Sequence, residues 1–150
     1  MRPSFDSRAM RLVAGLALLG SLAASCGNGT GSSDGASGAD AGGVSATVRD
    51  FEIALSSATV ERGDVAFSIE NEGPSTHEFV VVKSDAAPDQ LPVENGLVSE
   101  DGVDLIGEAE DIAPSTTTDL TLNLQPGSYI IMCNIAGHYE QGMHTGFTVG

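Results

Sequence analysis

Three side chains with soft or borderline metal-binding atoms recur at five-residue intervals near the end of the chain: Cys133, His138 and Met143. A thiolate, an imidazole and a thioether together select copper. Zinc sites seldom use methionine, and calcium or magnesium sites use oxygen ligands. Gly137 and Gly142 permit tight turns, so the loop that carries these side chains can fold back on itself. The spacing Cys-x₄-His-x₄-Met therefore predicts a copper site.

A trigonal copper site needs a second imidazole, and the chain contains three histidines in all. His77 stands at the mouth of a predicted strand, 56 residues before Cys133. Strand ends that far apart in sequence can lie side by side in a Greek-key sandwich. The set predicted from the residues is His77, Cys133 and His138 in a plane, with Met143 as a long axial ligand. This is the ligand arrangement of blue-copper electron-transfer sites.

Two segments of the chain resemble the cupredoxins, the family of plastocyanin, azurin and rusticyanin. The upstream segment reads N-E-G-x-x-x-H-E-F, and the downstream segment reads L-x-P-G-x-Y-x-x-x-C-N-I-x-G-H-Y-x-x-G-M. The two four-residue gaps of the ligand loop are most similar to rusticyanin and sulfocyanin-like members. The resemblance implies one type 1 copper ion, with His77, Cys133 and His138 as equatorial ligands and Met143 as the axial ligand. His144 matches no family position and is interpreted as a surface residue.

The same resemblance implies roles for residues around the ligands. The backbone N–H of Glu78 is expected to donate to the sulfur of Cys133, and Asn134 is expected to brace the ligand loop. His138 is expected near the surface as the exit for the electron, with small apolar neighbours at residues 135–137. Contacts of this kind hold metal ligands and tune the redox potential.

Simpler interpretations of the same residues remain open. A histidine at a strand end is often a hydrogen-bonded structural residue, and Met143 can serve as core packing. Cys133 can be a buried inert thiol or can form a disulfide with Cys26, the other cysteine of the chain.

Alternating apolar and polar residues predict an all-β fold. Seven strands are expected, at 44–48, 51–55, 65–71, 77–83, 118–124, 128–133 and 145–149. Turn residues separate most of them, which is typical of an antiparallel sandwich. With the resemblance, the prediction is a cupredoxin-like Greek-key β-sandwich of seven to eight strands.

Residues 84–115 show little alternation of apolar and polar residues. They contain nine acids, no base and three prolines. We expect a surface insertion with a short helical turn around 85–91 and an edge strand near 102–108. A solvated insertion is favoured over an acidic docking face.

The beginning of the chain predicts export. Residues 1–25 have a basic start and a short apolar run, typical of a lipoprotein signal peptide. Three small residues precede Cys26, which is predicted to be lipidated and to anchor the protein; ordinary cleavage near Ala24 is the alternative. Residues 26–43 contain only small and polar residues and predict a flexible linker. The copper-binding domain is expected at 44–150. The predicted location is the extracytoplasmic face of a bacterial membrane, at the cell surface or in a periplasm.

The net charge and the numbers of cysteines and histidines narrow the range of possible functions. The whole chain carries a formal net charge of −15, and the part after the signal peptide has three basic residues against twenty acidic ones. Such a charge argues against nucleic acid and favours a redox protein with a basic docking face. One cysteine in the ligand loop excludes a binuclear site, and three histidines are too few for a multicopper oxidase. We therefore expect a monomeric electron carrier that cycles Cu(II)/Cu(I), not an enzyme. The alternatives are a copper-delivery protein and a metal-free surface module.

Overall fold

The structure is a computed structural model that describes residues 42–150. The predicted signal peptide, Cys26 and nearly all of the predicted linker lie outside these residues. The strands are β1 (Gly42–Arg49), β2 (Glu52–Leu55), β3 (Thr59–Val60), β4 (Gly63–Asn71), β5 (His77–Lys83), β6 (Val93–Glu94), β7 (Leu97–Val98), β8 (Asp104–Ile112), β9 (Thr117–Leu124), β10 (Gly127–Met132) and β11 (His144–Val149). A single turn of 3₁₀ helix covers Glu100–Gly102. Among the described residues, no helix is both long enough and apolar enough to cross a membrane.

Two sheets form a β-sandwich, as predicted. The first sheet has the order β2-β1-β4-β9 and the second has the order β3-β11-β10-β5-β8. The antiparallel expectation was wrong in one respect, because β1 pairs with β4 and β11 pairs with β3 in parallel. The pairing direction depends on which strands become neighbours, and the alternation within one strand carries no information about that.

All seven predicted strands are present, and the alternation of apolar and polar residues explains why. In β4 the buried and more exposed residues alternate along the strand, so one face enters the core between the sheets. Phe67 and Phe147 are almost fully buried there, with their ring centroids 5.5 Å apart. The first strand starts at Gly42, two residues before the predicted beginning of the domain.

The prediction of a solvated insertion at residues 84–115 was wrong in part: most of these residues are exposed or half-buried, but a few of them are buried. Leu91 and Val98 are buried in a second apolar cluster on the outer face of the second sheet, against Val80 and Val82 of β5. The segment therefore covers that face of the sheet, which explains why β5 is buried on both sides. The edge strand expected near 102–108 is present as β8, while a single hydrogen-bonded turn, Gln90 N–H to Ala87 O, replaces the helical turn.

Candidate metal centre

The second sheet brings the two distant parts of the site together. β5 and β10 are antiparallel neighbours, with Val80 opposite Met132. The start of β5 and the end of β10 therefore lie at the same end of the sandwich. His77 is the first residue of β5 and Cys133 follows the last residue of β10. Both side chains are fully buried.

The loop from Cys133 to Met143 is closed by its own main chain. The N–H of Cys133 donates to the carbonyl of Met143 at 3.0 Å, and the N–H of Met143 donates to the carbonyl of His138 at 3.1 Å. Gly137 and Gly142 have φ angles of 82° and 103°, which glycine adopts without strain. The tight turns expected at these glycines hold His138 over Cys133 and bring the fully buried Met143 to the base of the loop.

Three potential ligand atoms converge at this end of the sandwich. The Sγ of Cys133 is 3.4 Å from Nδ1 of His138 and 3.9 Å from Nδ1 of His77. Each pair among these three residues offers ligand atoms within 4.8 Å of one another. The imidazoles face each other with ring centroids 5.2 Å apart. His144 is not in this group; it is half-buried, and its ring packs against Tyr139.

Several solved structures resemble this domain, although no protein-family model and no curated protein sequence matches the chain. A dithionite-reduced auracyanin from Roseiflexus castenholzii aligns with 72% of this chain and 96% of its own, with 20% identity and a TM-score of 0.54. Rusticyanin from Thiobacillus ferrooxidans aligns with 72% of this chain and 76% of its own, at 18% identity and a TM-score of 0.53. An azurin from Methylomonas sp. strain J aligns with 73% and 98%, at 16% identity and a TM-score of 0.51.

The domain has the cupredoxin fold.

The candidate ligand atoms of this domain are close to the spacing that one metal ion requires. Metal ions such as zinc bind histidine nitrogen at about 2.0–2.1 Å and thiolate at about 2.3 Å, so ligand atoms spread at about 120° around one ion would be about 3.5–3.8 Å apart. The two sulfur–nitrogen distances of 3.4 and 3.9 Å lie on either side of this range. Together with the buried Met143, the donor types are consistent with one type 1 copper ion.

Burial disfavours the charged form of both buried ligand candidates, because it shifts the pKa of each toward the neutral form. It lowers the pKa of the His77 imidazole, nearby His138 lowers it further, and Asp50 opposes the shift. Burial likewise raises the pKa of the Cys133 thiol, against hydrogen bonds from the backbone N–H groups of Glu78 and Ile135. A neutral imidazole has a free lone pair, and the thiol loses its proton when a metal takes the proton's place. The cupredoxin pocket is thus suited to a soft cation.

The contacts that the resemblance implied around the ligands are present. The backbone N–H of Glu78 donates to Sγ of Cys133 at 3.3 Å. Asn134 lies next to Cys133, and its side chain hydrogen-bonds both backbone groups of Val98 and the carboxylate of Glu100. The ligand loop is therefore fastened to the segment that covers the outer face of the second sheet.

The turn between β1 and β2 also contacts the site, which the sequence analysis missed. Oδ1 of Asp50 is 3.2 Å from Nε2 of His77, and the ring of Phe51 meets the ring of His138 edge-on, with centroids 5.6 Å apart. Phe51 has a φ of 66°, an uncommon and strained conformation for a bulky residue. No motif predicts these contacts. The sequence offered one signal for these contacts: a turn that places a carboxylate and an aromatic residue between two short predicted strands.

Proposed function

We propose that this protein is a type 1 copper protein that carries single electrons outside the cytoplasm. One observation carries the proposal: a buried cysteine and two histidines converge with sulfur–nitrogen distances of 3.4 and 3.9 Å. Two imidazoles and one thiolate in trigonal array, with a weak axial methionine, are the ligands of blue-copper electron-transfer sites. In this proposal His77, Cys133, His138 and Met143 would hold one copper ion, which would supply one-electron chemistry at this end of the sandwich.

The residues of the chain provide a rigid and dry setting for the centre. Bound copper supplies one-electron chemistry by alternating between Cu(II) and Cu(I). Cys133, His77 and Met143 are fully buried, so water is excluded from their side of the site. His138 is half-buried and presents the edge of the site that a partner can approach. The protein accepts one electron from a reduced donor protein and passes it to an oxidised acceptor.

An absorption spectrum of the copper-loaded protein, taken before and after ascorbate, tests this function. We expect an intense visible band that bleaches on reduction and returns on reoxidation. Cys133→Ser should abolish the band, whereas Cys26→Ser should retain it and serves as the matched control. Colourless, tight Cu(I) binding would instead support copper delivery. Failure to bind copper would support a metal-free module.

We propose that the chain is exported and held at the membrane by a lipid on Cys26. The support is the short apolar run after a basic start, the small residues before Cys26 and the Gly/Ser-rich stretch that follows. A lipid chain anchors through its buried methylenes, each contributing about 0.8 kcal/mol. Cys26→Ser should move the protein from the membrane fraction to the soluble fraction. Unchanged fractionation would contradict the anchor.

We propose that the physiological partner is a redox protein with a basic docking face. We also propose that this chain binds its partner as a monomer. The support is the excess of twenty acids over three bases after the predicted signal peptide. Because complementary charges steer association and salt screens them, electron transfer with a basic partner should slow as salt is added. A rate that does not depend on salt would contradict this docking mode.

A further inference from the structure

We propose that Asp50 is a positioning residue for the metal centre: its carboxylate orients the His77 ring and stabilises the oxidised state of the bound ion. The proposal rests on the proposed copper-binding function and concerns a residue outside the ligand set. Asp50 lies in the turn between β1 and β2, so it belongs to the first sheet, whereas all four candidate ligands follow from the second sheet and its loops.

The contact between Asp50 and His77 brings together two enclosed polar atoms that are unpaired among the described residues. Nε2 of His77 and Oδ1 of Asp50 are 3.2 Å apart. Both atoms are enclosed, and neither makes a well-aligned hydrogen bond among the described residues, so the 3.2 Å approach is a close polar contact between two otherwise unpaired atoms. Oδ1 of Asp50 is therefore the acceptor within reach of a proton on Nε2, and a small rotation of the ring or the carboxylate would pair the two atoms, since buried polar groups are seldom left unpaired.

The surroundings of Asp50 hold the carboxylate in place. Its other oxygen, Oδ2, accepts a hydrogen bond from the hydroxyl of Ser75 at 3.3 Å. A Cβ added at Gly73 would lie 3.1 Å from Nε2 of His77 and 3.2 Å from the backbone N of Asp50. Glycine at this position therefore allows the hairpin turn to approach the imidazole. Asn71 fixes the same loop, because its side chain accepts from the N–H of Gly73 and donates to the carbonyl of Ser75.

This arrangement determines which ring nitrogen is free to bind a metal. Nδ1 of His77 faces Sγ of Cys133, while Nε2 faces Asp50. A carboxylate that accepts the Nε2 proton selects the tautomer in which Nδ1 carries the lone pair. The negative charge also favours the higher charge state of the ion behind the ring. Asp50 is therefore expected to fix the ring and to lower the reduction potential.

Nitrogen-15 NMR of the copper-free protein tests the orientation directly. In the wild type we expect the His77 proton on Nε2 and an unprotonated Nδ1. Asp50→Ala removes the acceptor, so the two tautomers should become mixed. Glu52→Gln is the matched control, because Glu52 lies in the same hairpin, is exposed and pairs with Arg49 instead of His77. An unchanged tautomer in Asp50→Ala would overturn the orienting role.

The copper-loaded protein tests the redox effect. Asp50→Asn keeps the shape of the side chain and removes its charge, so Cu(II) affinity should fall about tenfold relative to Cu(I) affinity. For a one-electron couple, that tenfold change is a rise of about 59 mV in the reduction potential. Glu52→Gln removes the same charge without the contact and should shift the potential far less. Equal shifts in the two variants, or no shift in Asp50→Asn, would overturn the redox role.

The two readouts separate failure of this inference from failure of the proposed function. A protein that binds no copper would refute the electron-carrier function and, with it, the redox role of Asp50. The tautomer experiment needs no copper and would still decide the orienting role. A copper protein whose potential is insensitive to Asp50→Asn would keep its function and lose only the redox role.

Discussion

Asn134 and Val98 are joined by two hydrogen bonds between one side chain and one backbone unit. The N–H of Val98 donates to Oδ1 of Asn134 at 2.8 Å, and Nδ2 of Asn134 donates to the carbonyl of Val98 at 3.1 Å. The side-chain amide thus satisfies both polar groups of a buried residue of β7. Since Asn134 directly follows Cys133, the covering segment and the metal centre are mechanically linked.

Asn134→Ala should lower the free energy of unfolding by about 1–3 kcal/mol, because it leaves the buried N–H of Val98 without a partner. Asn123→Ala is the control: Asn123 is exposed and bonds Asp64 at the surface, so its loss should cost within about 0.5 kcal/mol. Urea denaturation of the copper-free protein measures both. Equal losses in the two variants would contradict the link.

Leu91→Ala tests whether the segment at 84–103 is part of the core. Leu91 is 8% exposed and packs in the second apolar cluster, so truncation should cost about 2–5 kcal/mol. Leu97 lies in the same segment but is 41% exposed, and Leu97→Ala should cost within about 0.5 kcal/mol. Thermal unfolding of the two variants gives the comparison. A solvated insertion would make both substitutions neutral.

Gly73→Ala should disturb the site through steric contact. The added Cβ meets the His77 ring and the main chain of Arg49 at 3.1–3.2 Å, and overpacking of this kind typically costs about 1–3 kcal/mol. Copper affinity should fall as well, because the ring is displaced. At Gly43 an added Cβ has no atom of the described residues within 4 Å, so Gly43→Ala is the matched control and should leave copper binding unchanged. Calorimetric unfolding and copper titration check the pair; a harmless Gly73→Ala would contradict the close approach.

Glu108→Gln should change how stability depends on pH. Partial burial raises the pKa of Glu108 above 4.5, and Glu100 and Glu110 raise it further. The folded state then binds the proton more tightly than the unfolded chain, so stability falls as pH rises from 4.5 through the raised value. The variant lacks this loss and should be more stable at pH 7.

The gain from Glu108→Gln should be a few tenths of a kcal/mol, because the group is largely screened by solvent. It should shrink as pH is lowered to 4.5 and below, where the wild-type carboxyl is protonated in both states. Denaturation midpoints of wild type and variant across this range are the measurement. A difference that is constant with pH would contradict the shift.

The strands were predictable because their signal is local. β9 alternates Leu120, Leu122 and Leu124 with polar residues, and the structure places these leucines on its less exposed side. The parallel pairing of β1 with β4 was not predictable, since it depends on a contact between distant strands. The unbroken apolar run from Phe79 to Val82 did contain a signal for burial on both faces. The prediction did not use this run, and it therefore missed that Leu91 and Val98 of the following segment are buried against β5.

The candidate site likewise has a part that the sequence predicts and a part that it does not. Cys133, His138 and Met143 stand out because their donor atoms are unusual and their spacing is short. Their convergence with His77 is a property of the antiparallel β5–β10 pair, and their roles as copper ligands stay a prediction. Asp50 carries an ordinary carboxylate in an ordinary turn. Its importance depends on the approach of one sheet to the other, which no short motif encodes.

The parallel pairing of β1 with β4 shows at which end of the sandwich the first strand begins. Gly42 lies opposite Val65, while Val48 lies opposite Asn71 near the ligands. Six residues of strand separate these levels, about 20 Å at 3.3 Å per residue. The first strand thus begins at the end of the sandwich that is far from the imidazoles of His77 and His138. A protein that approaches the half-buried His138 would therefore meet the end of the sandwich opposite to the start of β1.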